Sequence, residues 1–216
     1  MDCTLKLPES TPYTAEVDTC PVDWAKNTIL LFREQLCGKS LFCREGLAEI
    51  HRIIEDISIG EGKSDDTELI RELCLAIVQV TDCESSKNRA LHIAQALKEH
   101  LGTWEMHIKR KRCTALVCNK LLTFYIDAAK CTACGSCLSV CPANAIDGAE
   151  GMYHVIDNDS CLQCGCCYAA CPAGAVKKAT AGAVLPKLPE KPGTIGTFKS
   201  GLGGLKRGLR ASKLKN

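Results

Sequence analysis

Apolar residues recur at three- and four-residue steps through the first hundred positions, the spacing that lays them along one face of an α-helix. Leu47, Ile50, Ile54 and Ile57 form one such stripe, and Leu69, Leu73, Ala76, Ile77 and Val80 a second. Trp24 to Leu36, with apolar Ile29, Leu30, Phe32 and Leu36, predicts an earlier helix. Ala90 to Leu101 predicts a fourth, with Gly102 where a C′ glycine ends a helix. Asp65 followed by Glu68 has the form of a capping box ahead of the second stripe. Gly60 and Gly62 punctuate the gap between the first two stripes. Four short helices predict a small bundle.

Beyond residue 120 the helical period gives way to short apolar runs around cysteines. Cys131-x2-Cys134-x2-Cys137-x3-Cys141-Pro142 is followed thirty residues later by Cys161-x2-Cys164-x2-Cys167-x3-Cys171-Pro172. This is the run that holds [4Fe–4S] clusters in bacterial ferredoxins. The tight Cys-x2-Cys-x2-Cys loop lets three thiolates reach three irons. The fourth cysteine points away and, in two-cluster ferredoxins, ligates the other cluster. The expected sets are therefore Cys131, Cys134, Cys137 and Cys171 for one cluster, and Cys161, Cys164, Cys167 and Cys141 for the second. Pro142 and Pro172 stop helical continuation. Gly135 and Gly165 let backbone come close to the cluster sulfurs. Zinc is the competing reading, but a zinc knuckle needs neither the third cysteine nor the Cys-Pro ending. Cys166 is an extra thiol inside the second run and is expected to be packed. The flanks repeat as well: Phe124-Tyr125-Ile126-Asp127 matches His154-Val155-Ile156-Asp157, and Ala143 to Ile146 matches Ala173 to Val176. Each half reads as a strand, a cluster loop, a helical turn and a second strand. Residues 120–178 resemble the dicluster ferredoxin fold.

Composition narrows the setting. Seventeen cysteines, an odd number, with no secretory leader argue against a disulfide scaffold. Thiolate ligands imply a reducing compartment, and the expected location is cytoplasmic. No apolar run approaches the ~20 residues of a membrane span. The net charge of +2 provides no global field for nucleic acid or membrane. From Lys177 onward, ten Lys or Arg face one acid, Glu190, among prolines and glycines. That composition predicts an extended tail without a core. Leu202, Leu205 and Leu209 would share one side if its end became helical on a partner.

The string Cys37-Gly38-Lys39-Ser40-Leu41-Phe42-Cys43-Arg44-Glu45-Gly46, with Cys83 forty residues after Cys43, carries a second resemblance. Together with His107 to Cys113, it makes the stretch from about Asp18 to Cys113 similar to the C-terminal iron–sulfur domain of the NADH-binding flavoprotein subunit of complex I. The same domain occurs in electron-bifurcating NAD-linked hydrogenases, where a dicluster ferredoxin follows it. The resemblance implies a third cluster site at Cys37, Ser40, Cys43 and Cys83, although the family has cysteine where this chain has Ser40. Serine ligation, a [3Fe–4S] centre on three thiolates and an empty site all remain open, with Cys74 as a substitute ligand or a core thiol. The family's flavin and NADH domain finds no counterpart in the roughly twenty residues ahead of the bundle. No Gly-x-Gly-x-x-Gly follows a strand, and neither Gly38-Lys39-Ser40 nor Gly62-Lys63-Ser64 completes a P-loop. The resemblance therefore implies a partner that carries the flavin.

His107-x5-Cys113-x4-Cys118, with Cys20 ahead of the first helix, has zinc-ligand chemistry and could pin a hinge between the two domains. Free thiols and a solvent-facing histidine are the alternative. His92, His100 and His154 carry no ligand spacing and are assigned to surface or core. The expected fold is α+β: an extension at 1–19, a helical docking domain at 20–112, a hinge at 113–119, the 2[4Fe–4S] domain at 120–178 and a tail at 179–216. The expected role is an electron-transfer subunit, itself doing no bond chemistry, of a multi-subunit NAD(P)-linked flavoenzyme. Bifurcation comes with the resemblance. Its partners would be a flavin- and NAD(P)-binding subunit, other redox subunits and ferredoxin. The rival is a free-standing diffusible carrier. A nucleic-acid-binding redox regulator has little support in the sequence.

Overall fold

The structure is a computed structural model and describes residues 11–16, 18–34, 37 and 39–198. Leu36, Gly38 and the tail leucines 202, 205 and 209 lie outside the described residues. The chain divides into two compact units, Met1–Leu122 and Thr123–Asn216. Among the described residues no helix is long and apolar enough to cross a membrane.

The first unit is helical. Its elements are α1 (Pro21–Arg33), a π-helical turn (Phe42–Gly46), α2 (Leu47–Ile59), α3 (Asp66–Val80), α4 (Glu84–Glu99), α5 (Leu101–Arg110) and a 3-10 turn (Asn119–Leu121). Pro21 opens α1, where its fixed φ suits the first turn and its missing N–H costs nothing. The Leu47, Ile50, Ile54 and Ile57 stripe is fully buried, as its period predicts. Gly60 then ends α2 in the left-handed conformation, φ +87°. Around α2 the core gathers Ile29, Phe32, Ile70, Ile77, Ile93 and Trp104. The Arg89 guanidinium lies over the Phe32 ring, 4.2 Å from its centroid, a favourable charge–quadrupole contact.

Four expectations are corrected here. Among the described residues the bundle has five α-helices, not four. α4 stops at Glu99, and Gly102 lies within the first turn of α5 instead of capping α4. Nothing lies within 4 Å of where its Cβ would be, so neighbours neither require nor forbid glycine there. The buried face of α3 carries Ile70, Cys74 and Ile77; of the anticipated stripe only Ile77 is buried, while Leu69 and Val80 are exposed. The Asp65 side chain makes no capping bond; instead Asp66 Oδ2 accepts the Lys63 N–H at 2.7 Å.

Among the described residues the second unit is built from three two-stranded ribbons and two short helices. The strands are β1 (Leu122–Ile126), β2 (Ile146–Asp147), β3 (Met152–Tyr153), β4 (Val155–Ile156), β5 (Val176–Thr180) and β6 (Gly193–Thr194). The helices are α6 (Ser136–Ser139) and α7 (Cys166–Ala170). β1 pairs with β5, β2 with β4 and β3 with β6. The halves thus exchange strands: Asp127 N–H donates to Ala175 O, and thirty residues on Asp157 N–H donates to Ala145 O, both at 2.8 Å. Of the segment after residue 178, the described part, up to residue 198, makes contacts of its own. β6 is antiparallel to β3, with Tyr153 opposite Gly193, and the Phe198 ring meets Tyr153 edge-on at 5.9 Å.

Candidate iron–sulfur and metal centres

Two loops in the second unit curl around cysteines with matching strain. Ala133 and Gln163 take φ of +54° and +56°, and Gly135 and Gly165 take +72° and +78°. Non-glycine residues reach this region at a cost of about 1–2 kcal/mol. Its repetition thirty residues apart marks a backbone shaped for a task. α6 and α7 then begin at Ser136 and Cys166 and bury Cys137 and Cys167.

The result is two cavities. One is lined by Cys131, Cys134, Cys137 and Cys171, together with Ile126, His154 and Val176. The other is lined by Cys141, Cys161, Cys164 and Cys167, together with Phe124, Ile146 and Ile156. Each cavity therefore takes three cysteines from its own run and the fourth from the other. Ala145 N–H points at Cys141 Sγ and Ala175 N–H at Cys171 Sγ, both at 3.3 Å. Burial, reinforced by the neighbouring Cys131 and Cys161, pushes Cys137 and Cys167 up to about 11 each. A bound cation would favour the thiolate form of these two buried cysteines, and cluster iron would supply that charge. Four sulfurs converging on an apolar hole with backbone N–H groups aimed at them fit a cubane cluster.

Cys166 is exposed, which corrects its assignment as a packed thiol. His154 is buried, at 1% exposure. Its Nδ1 is 3.5 Å from Cys131 Sγ, a placement that ligand spacing alone did not reveal.

In the first unit Cys37, Ser40, Cys43 and Cys83 line a single pocket, with Lys39, Val80, Thr81 and Asp82. The π-helical turn carries Cys43 into it; such turns are frequent at functional sites. Burial raises the Cys43 thiol even though the Ser86 hydroxyl, 2.7 Å away, works to lower it. Ser40 Oγ lies 3.3 Å from Thr81 Oγ1 and 3.4 Å from the Cys43 N–H. Cys74 is buried in the α3 core and held up to about 12 by desolvation, the environment of a core thiol.

The fourth constellation lies wholly within the first unit. Cys20, at the start of α1, His107 on α5, and Cys113 and Cys118 beyond it are all buried, with ligand atoms within 4.8 Å of one another. Tetrahedral zinc, with Zn–S of about 2.3 Å and Zn–N of about 2.0–2.1 Å, sets S···S edges near ~3.8 Å and S···N edges near ~3.5 Å. Cys118 Sγ to Cys20 Sγ is 3.9 Å, and Cys20 Sγ to His107 Nε2 is 3.4 Å. His107 Nδ1 donates to Thr103 O at 2.8 Å, which turns Nε2 towards the sulfurs. A ligand histidine is oriented in this way by its second nitrogen. Burial works against a charged His107, but bonds to the Cys113 and Cys20 thiols outweigh it and lift the imidazole to about 10. Bonds from Cys118 and Cys20 hold the Cys113 thiol far down, and the same cluster of contacts pushes Cys118 up. Protons shared among crowded sulfurs are what a divalent ion displaces. The solvent-facing alternative for His107 is excluded by its complete burial.

Two regions of the chain match families of known proteins. Residues 23–107 match the family described as the NADH-ubiquinone oxidoreductase-F iron-sulfur binding region. Residues 130–175 match the 4Fe-4S dicluster domain. The chain joins two iron–sulfur domains. It is 34% identical over 137 residues to the NADP-reducing hydrogenase subunit HndC of Solidesulfovibrio fructosivorans, an alignment covering 63% of this chain and 28% of that one. It is 35% identical over 95 residues to the F 2 subunit of the NADH-quinone oxidoreductase of Rhizobium meliloti (strain 1021), covering 44% of this chain and 23% of that one. The chain thus spans about a quarter of the length of these relatives.

Proposed function

We propose that this iron–sulfur chain is the electron-transfer subunit of an NAD(P)-linked flavoenzyme in the cytoplasm. It would relay single electrons between a flavin on a partner subunit and ferredoxin or another redox subunit. The observation that carries the reading is the pair of four-cysteine cavities, each completed by the fourth cysteine of the other run. Bound clusters supply one-electron transfer. The chain's own residues do the rest: Cys131, Cys134, Cys137 and Cys171 hold one cluster, and Cys161, Cys164, Cys167 and Cys141 the second. Ile126, Phe124, Ile146, Ile156 and Val176 form apolar walls of the two cavities.

Cys37, Cys43 and Cys83 hold a third centre, with Ser40 at the fourth position. The match of this region to an iron–sulfur binding family supports that reading. Cys20, His107, Cys113 and Cys118 hold zinc, which ties the start of α1 to the end of the helical unit. The nucleotide chemistry named for the relatives, NADP reduction and NADH oxidation with quinone, supports a flavin- and NAD(P)-binding partner. Bifurcation is part of the proposal through the hydrogenase-type relative.

Iron, acid-labile sulfide and zinc per chain test this on anaerobically purified protein. The expected result is about eleven or twelve irons, two cubanes plus a third centre, with one zinc. About eight irons would remove the third centre, and an absence of zinc would remove the Cys20/His107/Cys113/Cys118 site. Iron well below eight would overturn the whole reading.

A further inference from the structure

The two cysteine cavities are copies of each other at an offset of thirty residues; apart from Thr132 against Leu162, the copy fails at one wall. Ile126 corresponds to Ile156, Ala175 to Ala145, and Val176 to Ile146. Where Phe124 closes the Cys141/Cys161/Cys164/Cys167 cavity, His154 closes the other. A second break accompanies the first. Gly148 lies against the imidazole: a Cβ there would stand 2.4 Å from His154 Cδ2 and 2.7 Å from Cγ. Its counterpart thirty residues on is Lys178. The histidine and the space that admits its ring thus occur together in one half and in neither position of the other.

His154 Nδ1 is 3.5 Å from Cys131 Sγ. A cluster-bound thiolate can only accept, so a neutral imidazole bonds to it by carrying its proton on Nδ1. Phe124 provides no such donor. A hydrogen bond to a cluster sulfur favours the more negative, reduced state, and bonds of this kind help to set cluster potentials.

Resting on the cluster assignment above, we propose that His154 makes the two clusters inequivalent, so that in the singly reduced domain the electron resides on the Cys131/Cys134/Cys137/Cys171 cluster. The step is the transfer of one electron from the Cys161-side cluster, which is oxidised, to the Cys131-side cluster, which is reduced. No bond or proton changes hands. The Cys131 side is then the electron sink of the pair, and the Cys161 side is the more reducing end.

The test is a dithionite-driven potentiometric titration of the full, cluster-loaded chain, followed by electron paramagnetic resonance. In the unmodified protein the two clusters reduce in separate steps. His154→Phe should lower the upper step by about tenfold in the reduced-to-oxidised ratio at fixed potential, about 59 mV for one electron. His154→Asn, which can return an N–H to the same sulfur, should restore most of the separation. Phe124→His should raise the lower step. An unmoved upper step in a His154→Phe protein that retains its iron and sulfide would overturn the proposal. Should that variant lose iron, Gly148→Ala decides: its methyl displaces the ring, and an unmoved upper step with full iron overturns the proposal equally. Iron well below eight in the unmodified chain would instead overturn the cluster assignment.

Discussion

Ser40 concentrates the chemical question of the first unit in one atom. Ser40 lines the same pocket as Cys37, Cys43 and Cys83 and would supply the fourth donor of the proposed third centre. A hydroxyl must lose a proton of high pKa before it ligates iron, and oxygen is a harder donor than thiolate. Ser40 Oγ already interacts with Thr81 Oγ1 and the Cys43 N–H, contacts that hold it at the rim without ionising it. Ser40→Cys should therefore tighten iron binding at this site, slowing loss of the third centre to a chelator by at least about tenfold and leaving the other clusters unchanged. Iron release followed by absorbance and by iron analysis reads this directly. Equal release rates for the two proteins would mean that residue 40 does not face the metal. The cysteines themselves were legible in the chain because ligand spacing is local: a loop that wraps a cubane writes its geometry into consecutive positions. His154 was not, because its meaning depends on Cys131 and Gly148, which the fold brings to it from different segments.

At the scale of elements, the zinc-type site explains how a bundle of five helices closes on itself. Cys20 precedes α1, His107 lies on α5, and Cys113 and Cys118 follow it. An ion here would join the start of α1 to the residues beyond α5, and metal binding of this kind is folding free energy. His107→Ala should lose the zinc and destabilise the first unit by more than about 4 kcal/mol, the range associated with losing a metal or another major constraint. Cys20→Ser, which leaves the α5 core intact, should lose zinc as well. Zinc analysis and thermal melting with and without a chelator check both; a chelator that leaves the melt of the unmodified chain unmoved would sink the idea. The site was visible in the sequence as His107, Cys113, Cys118 and Cys20, but α5 that carries His107 was not. Gly102 reads as a stop signal, and only burial of Trp104 and Ile108 makes the following residues a helix. The face of α3 was misjudged for a related reason. Leu69, Leu75 and Val80 are as apolar as Ile70 and Ile77, so apolar residues lie on more than one side of α3 and do not by themselves reveal which side the core takes.

Across the whole molecule, the proposed clusters would take electrons singly, whereas NAD(P)H gives up a hydride, which is two electrons at once. A flavin accepts the pair and releases it one electron at a time. The cysteine cavities have apolar walls and backbone N–H groups at the sulfurs, which suits them to hold charge but not to orient a nicotinamide. The chain loaded with its clusters should therefore be reduced by dithionite and stay oxidised with NADH or NADPH alone. Adding a flavin- and NAD(P)-binding subunit should make reduction by one of the two nucleotides fast, seen as bleaching of the cluster absorbance. The order in which the centres bleach then carries information, because the His154-side cluster fills before its twin if the two differ as proposed. Rapid reduction of the isolated chain by either nucleotide would contradict the division of labour between a hydride-accepting partner and a one-electron relay. Absence of reduction even with the partner present would point instead to a carrier that meets its donor elsewhere.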